Sequence, residues 1–216
     1  MTLIASVLKL DRRAIKALRI TDPYSLHRVV YSLFPDIRDE EAKAQARSRG
    51  LLYADQGGDF TGRQILILSD RQPADDIDGQ FGEVRSKSIP ERFLDHGNYR
   101  FKVVVNPTCR DHASRKLIPI KGREEIAKWF YQRAEKSWGF TPSEVHLDVS
   151  RVDVLKFTDK HQNPITLAQA HIQGLLTVTD RSRFQHCFKH GVGRGRAFGC
   201  GLMQLVPVLE NPFSLA

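Results

Sequence analysis

The chain has 216 residues, enough to bury the core of one large domain or two small ones and too many for a disulfide-stapled peptide fold. Its 33 Lys and Arg against 25 Asp and Glu give a formal charge of +8, which favours a polyanionic partner, nucleic acid first, over an acidic small molecule. The apolar runs at 65–68 and 103–105 fall far short of the roughly 20 residues of a membrane-spanning helix, and no positive charge precedes the amino-terminal apolar stretch. A cytoplasmic protein with no membrane partner and no secretory signal is expected.

Residues 2–10 are almost continuously apolar and read as a mid-sheet strand buried on both faces. Asp22 followed by Pro23 supplies an N-cap and a proline at the first helical position, so a helix is expected to run to about Phe34 and to end at Pro35. Leu26, Val29, Val30, Leu33 and Phe34 recur on one stripe that must face the core. Tyr24, His27, Arg28 and Tyr31 fall together on a second arc of that helix, about 100° from the first. A histidine beside a tyrosine can move protons near neutral pH. The same residues also fit a partly exposed histidine on an amphipathic helix, and residue types alone leave both readings open. Residues 36–50 are highly charged, with Arg38, Lys43, Arg47 and Arg49 facing solvent or RNA. Residues 51–54 and 63–68 flank Gly57-Gly58 and predict a hairpin turning on that pair. The acidic stretch 72–79 is short for a helix, and 81–89 alternates, with Glu83, Arg85 and Lys87 on one face.

In the second half, Tyr99, Phe101, Val103 and Val105 alternate with Arg100 and Lys102, which predicts a strand with one apolar and one basic face. Residues 109–116 form a polar tip carrying Arg110, Arg115 and Lys116, either a solvated loop or a contact for RNA phosphates. Ile126, Trp129, Phe130, Arg133 and Ala134 set out a helix ended by Gly139, with Trp129 expected in the core. A long strand with a bulge between Val149 and Val152 spans 145–157, and 159–164 turn the chain back. Ala168, Ala170, Ile172, Leu176 and Val178 then line one face of the returning strand. Asp180 caps a last helix with Phe184, Cys187 and Phe188 inward.

That helix delivers the chain to Gly191, Gly193, Gly195, Gly199 and Gly201, a glycine density tolerable only where the main chain turns sharply or approaches a ligand closely. Arg194 and Arg196 sit inside the run and no Asp or Glu occurs from 181 to 201, so main-chain N–H groups and guanidinium groups share one positive site suited to phosphate. Gly193, Arg194, Gly195 and Arg196 are the candidate contacts; the spacing of Gly193, Gly195 and Gly199 lets the main chain lie against RNA or against the helix that carries His27, an approach that a β-branched side chain at Gly195 is expected to block. An ordinary glycine-rich connection is the alternative. No Lys-Ser or Lys-Thr follows, which excludes a Walker loop, and a helix precedes while a strand at 202–206 follows, which is the wrong order for a dinucleotide fold. Cys109, Cys187 and Cys200 lie far apart with no Cys-x-x-Cys spacing, and His186 with His190 lacks further ligands nearby, so no metal and no cofactor is expected.

The string Gly193-Arg194-Gly195-Arg196-Ala197-Phe198-Gly199-Cys200-Gly201-Leu202 resembles the C-terminal signature of the repeat-associated mysterious protein superfamily of CRISPR systems. Asp22-Pro23-Tyr24-Ser25-Leu26-His27-Arg28 resembles the early helix of the type I-E, or Cascade-type, CasE-like repeat-processing endoribonucleases. The two signatures stand near opposite ends of the chain, so the resemblance covers essentially all of it. It implies an α+β fold of two tandem ferredoxin-like (RRM-like) domains, at 1–90 and 98–216, the first with a degenerate second helix. It also implies an endoribonuclease that cuts CRISPR precursor RNA once per repeat at the base of a stem-loop, without metal, by attack of the 2′-hydroxyl. The mature crRNA then stays bound, with other Cascade subunits as partners. His27 and Tyr24 would be catalytic, and Arg28, Tyr31, Arg194 and Arg196 would hold phosphates. A non-catalytic RNA-binding scaffold of the same superfamily is the competing reading.

Overall fold

The computed structural model describes residues 2–34, 50–111, 113 and 115–208; the charged stretch after Phe34 and the helix stop expected at Pro35 lie outside the described residues. The protein is α+β with antiparallel sheets. Its described residues fall into two compact units. One holds the chain up to Ile89 together with Phe157–Pro164 and Arg196–Gly199; the other holds Pro90–Lys156, Ile165–Gly195 and the residues from Cys200 on.

In the first unit, β1 (Ile4–Asp11) is followed by α1 (Arg12–Ala17), α2 (Pro23–Ser32), β2 (Leu51–Gly58), β3 (Gly62–Ser69) and β4 (Glu83–Ser88). The sheet order β2-β3-β1-β4 puts β1 inside the sheet, as its apolar content predicts. Burial on both faces does not hold. Ser6, Leu8 and Leu10 are buried while Ala5, Lys9 and Asp11 are exposed. Leu8 and Leu10 join Ala14, Leu26, Val30, Leu33, Ile65 and Ile67 in one cluster, so this antiparallel sheet commits one face of the strand to its core. The charged boundary after β1 opens a helix that the hydrophobic pattern does not announce, because the Asp11 side chain accepts from Ala14 N at 2.7 Å and caps α1.

The start of α2 follows from its sequence. Asp22 Oδ1 accepts from Ser25 N at 2.7 Å and Ser25 Oγ accepts from Asp22 N at 3.0 Å, a reciprocal capping box with Pro23 in the first turn. Leu26, Val29, Val30, Leu33 and Phe34 are all buried, each contributing roughly 1.5–3 kcal/mol relative to exposure. The β2–β3 hairpin turns at 59–61, where the Asp59 carboxylate accepts from Thr61 N at 2.7 Å. Gly57-Gly58 lies instead in the bulged end of β2, where the register shifts between Asp55 and Gly58. Between β3 and β4 no helix forms; Ile77 and Phe81 bridge across a tight turn.

The second unit contains β5 (Asn98–Val105), the β6 (Thr108–Arg110) and β7 (Leu117–Pro119) ribbon, α3 (Arg123–Arg133), β8 (Phe140–Pro142), β9 (Asp148–Thr158), β10 (Pro164–Val178), α4 (Arg181–His190) and β11 (Gln204–Pro207). The sheet order is β11-β5-β10-β8, with β9 also paired to β10. β5 has the expected two faces: Tyr99, Phe101, Val103 and Val105 are buried, and Arg100 and Lys102 are exposed. Trp129 is half-buried and does not fill the core. The helix continues past Arg133 as a π-turn, Ala134–Trp138, and the wider turn swings Trp138 inward against Phe130 at 5.3 Å and Phe140 at 6.1 Å. Gly139 (φ 75°) ends it, as its sequence position predicts. The short helical turn Glu144–His146 takes the first residues of the expected long strand, which begins as β9 at Asp148. Asp180 caps α4 through Arg183 N at 3.0 Å, with Phe184, Cys187 and Phe188 buried. Leu202 and Met203 are buried ahead of β11.

Candidate functional site

The second arc of α2 gathers a ring cluster. The His27 imidazole lies 4.1 Å from the Tyr31 ring and 6.2 Å from the Tyr24 ring, which stacks on it at 21°. The separations of three and four residues place these side chains on adjacent turns of one helix face. Arg28 is exposed on the same helix. The fourth ring comes from the glycine run: Phe198, in the short helical turn Arg196–Phe198, stands 6.0 Å from His27 and is itself met edge-on by Phe157 at 4.9 Å.

His27 Nδ1 and the main-chain carbonyl oxygen of Ala197 lie 2.8 Å apart. A carbonyl has no proton to give, so Nδ1 is the donor and carries hydrogen. In the neutral ring the basic lone pair is then on Nε2. The same carbonyl accepts a second bond at 2.8 Å from the Tyr53 hydroxyl, and its two lone pairs serve both donors. Tyr53 stands in β2 opposite Ile67 of β3 and is 1% exposed. A buried tyrosine hydroxyl needs a partner, and the Ala197 carbonyl is one.

The five glycines of the run all have positive φ, between 72° and 89°. They do not share one purpose. A β-carbon on Gly199 would sit 3.3 Å from Tyr53 Cε2, so glycine lets the backbone come near that ring without a side chain pressing on it. A β-carbon on Gly195 would meet Leu167 Cδ1 at 3.2 Å, Cys200 Sγ at 3.3 Å and Asn106 Cβ at 3.4 Å. A side chain there meets the protein's own packing first. At Gly193 a β-carbon would meet nothing within 4 Å, and the neighbouring Arg194 is exposed and bridges to Asn106 as an isolated strand pair. Arg196 is also exposed.

Arg110, Arg115 and Lys116 are exposed at the tip of the β6–β7 ribbon, where Arg110 Nη1 donates to the Arg115 carbonyl at 2.9 Å. Arg115 holds a left-handed backbone, φ 58°. Burial pushes the Cys200 thiol up to about 12 even though Gln169 Nε2 donates to its sulfur at 3.6 Å, and burial likewise pushes Cys187 up to about 12. Both are inert packing groups near neutral pH. Among the described residues no three or more His, Cys, Asp or Glu side chains are grouped to hold a metal ion. His186 and His190 stack with centroids 4.2 Å apart, and His190 Nδ1 bonds to the His186 carbonyl.

The sequence pattern thus identifies Tyr24, His27 and Tyr31 as neighbours, but not Tyr53, the Ala197 carbonyl or Phe198. The one available signal for Tyr53 is a polar tip in the otherwise apolar run Leu51-Leu52-Tyr53-Ala54. Nothing in the sequence marks a backbone carbonyl 170 positions from His27 as its partner.

The profile of the family described as CRISPR associated protein matches residues 3–207. The chain belongs to that family. Within it, the chain is 28% identical over 120 residues to CRISPR-associated endoribonuclease Cse3 of Thermus thermophilus, a stretch that is 50% of this chain and 55% of that protein. The alignment therefore spans about half the length of the curated relative. A structure of Thermus thermophilus Cse3 bound to an RNA representing a pre-cleavage complex superposes with a TM-score of 0.79 at 22% identity, covering 96% of this chain and 100% of that one. A chain of a CRISPR RNA-guided surveillance complex superposes with a TM-score of 0.67 at 19% identity, covering 95% and 100%. The chain thus shares the fold of these two structures along nearly its whole length. No helix among the described residues is long and apolar enough to cross a membrane.

Proposed function

We propose that the protein is a cytoplasmic endoribonuclease that cuts CRISPR precursor RNA within each repeat, at the base of a stem-loop, and keeps the mature crRNA as a subunit of a Cascade-type complex. The observation that carries this reading is the clamped imidazole: a histidine with Nδ1 committed to a carbonyl, Nε2 as its basic atom, and tyrosines on either side in the helix. The endoribonuclease and RNA-bound relatives support the substrate class, and the surveillance-complex relative supports the assembly. The formal charge of +8 suits a phosphate backbone. The sheet orders β2-β3-β1-β4 and β11-β5-β10-β8 support reading each unit as a ferredoxin-like domain, the first without its second helix. Domain boundaries near 1–90 and 98–216 go with that reading.

The reaction we assign needs no metal. The 2′-oxygen of the scissile nucleotide forms a bond to the adjacent phosphorus as the bond from phosphorus to the 5′-oxygen breaks. The 2′-hydroxyl gives up its proton and the departing 5′-oxygen gains one, leaving a 2′,3′-cyclic phosphate and a 5′-hydroxyl. His27 Nε2 transfers one of these protons, and Tyr24 orients it or hydrogen-bonds the phosphate or 2′-hydroxyl. Arg28, Tyr31, Arg194, Arg196, Arg110, Arg115 and Lys116 hold phosphates, with Gly193 and Gly195 offering main chain only. RNA of this kind is recognised through backbone, 2′-hydroxyl and shape, which a basic, glycine-lined surface can supply. The test is single-turnover cleavage of repeat RNA in chelator, with a ribose or a deoxyribose at the scissile position. Cutting of the ribose substrate alone is expected, with both substrates bound. Cutting of the deoxy substrate would overturn internal attack, a requirement for added metal would overturn metal independence, and binding without any cutting would leave a non-catalytic scaffold.

A further inference from the structure

Tyr53 and the turn Ala197–Gly199 carry a contact pattern whose purpose the glycine signature alone does not explain. The Ala197 carbonyl receives two side-chain donors, His27 Nδ1 and Tyr53 Oη, each at 2.8 Å, one for each of its lone pairs. Tyr53 is fixed in the sheet by its pairing with Ile67 and is almost fully buried. Its ring also lies close to the loop: a β-carbon on Gly199, at φ 79°, would come 3.3 Å from Tyr53 Cε2, closer than ordinary van der Waals contact. The hydroxyl therefore holds the carbonyl at a place set by the sheet, and the carbonyl holds the imidazole.

We infer that Tyr53 is a positioning residue, acting through the Ala197 carbonyl to fix the tautomer and orientation of His27 so that Nε2 is the nitrogen that exchanges a proton. The inference rests on the reading of His27 as the proton-transfer group. It parallels in principle the way an acceptor behind a catalytic imidazole selects which ring nitrogen is protonated, with a neutral carbonyl here in place of a carboxylate. It also gives Gly199 a role: a side chain there would push the loop away from the Tyr53 ring and withdraw the acceptor.

The test compares the full-length wild type, Tyr53→Phe and His27→Ala. Tyr53→Phe keeps the ring near Gly199 and removes only the hydroxyl. Nitrogen-15 spectra of the ring nitrogens, recorded at a pH where His27 is neutral and assigned by the signal lost in His27→Ala, read the tautomer. Single-turnover cleavage of repeat RNA, RNA affinity and the melting temperature are measured on the same proteins. The wild type is expected to show His27 protonated on Nδ1. In Tyr53→Phe the Nε2-protonated form is expected to gain population and cleavage to slow by about tenfold, the scale of one lost hydrogen bond, while affinity stays near wild type. A wild-type signal protonated on Nε2 overturns the inference. So does a slowed Tyr53→Phe with an unmoved tautomer, since the hydroxyl would then act by another route. If the tautomer shifts but Tyr53→Phe cleaves normally, His27→Ala separates the causes: an inactive His27→Ala overturns the inference, whereas an active one overturns the reading of His27 and leaves the tautomer clamp standing.

Discussion

Ala197 contributes through its carbonyl, not its side chain, and that atom decides which nitrogen of His27 is basic. Residue-level pattern reading can place His27 among Tyr24, Arg28 and Tyr31, because helical spacing is local. It cannot see a backbone acceptor supplied from a distant loop, since every residue has such a carbonyl and only the tertiary fold selects one. Thiols illustrate a second residue-scale effect. Cys187 and Cys200 are held near 12 by burial, above the ordinary 9.0, so unfolding lets them ionise earlier. The folded-state value is the higher one, so their contribution to stability is complete below about pH 9 and is lost as pH rises toward about 12. Urea midpoints measured across that window are expected to fall with pH. Near neutral pH, an alkylating reagent is expected to modify the exposed Cys109 and to spare the other two until denaturant is added.

At the scale of elements, α2 was legible in detail because each signal agreed: Asp22 capping, Pro23 in the first turn and a five-residue apolar stripe. Legibility failed where geometry departs from regular periods. A π-turn moved the core tryptophan from position 129 to 138, and a bulge moved the hairpin turn beyond Gly57-Gly58. The glycine run was recognisable as a run, yet the environment of each glycine was not. The sequence predicts that a side chain at Gly195 blocks the approach of RNA or of the His27 helix; the space it would fill borders Leu167, Cys200 and Asn106. Gly195→Val is therefore expected to lower stability, adding a β-branched strain at φ 77° to overpacking worth about 1–3 kcal/mol. Gly193→Ala, with open space around it, is expected to cost only the left-handed strain of about 1–2 kcal/mol. Denaturant midpoints of the two variants check this; equal losses would show that backbone conformation alone governs both positions.

On the scale of the whole molecule, the α+β class, the antiparallel sheets and the family were all within reach of the sequence, because two separated signatures and a basic composition pointed the same way. The discontinuous make-up of the units was not, since Phe157–Pro164 and Arg196–Gly199 pack with elements far earlier in the chain. Charge acts at this scale too. Replacing Arg110, Arg115 and Lys116 together by Gln is expected to weaken repeat RNA binding and to flatten the slope of log affinity against log salt by about 2, at roughly 0.7–0.9 per lost phosphate contact. An unchanged slope would assign the three side chains to solvent.

The claim on which the rest depends is that His27 moves a proton during RNA cleavage, and one variant addresses it. Single-turnover cleavage of repeat RNA by His27→Ala, at saturating protein and in chelator, is predicted to fall by about 10²-fold or more with RNA affinity nearly unchanged, the range for loss of a general acid or base. A His27→Ala protein that binds repeat RNA and cuts it at the wild-type rate would contradict the account.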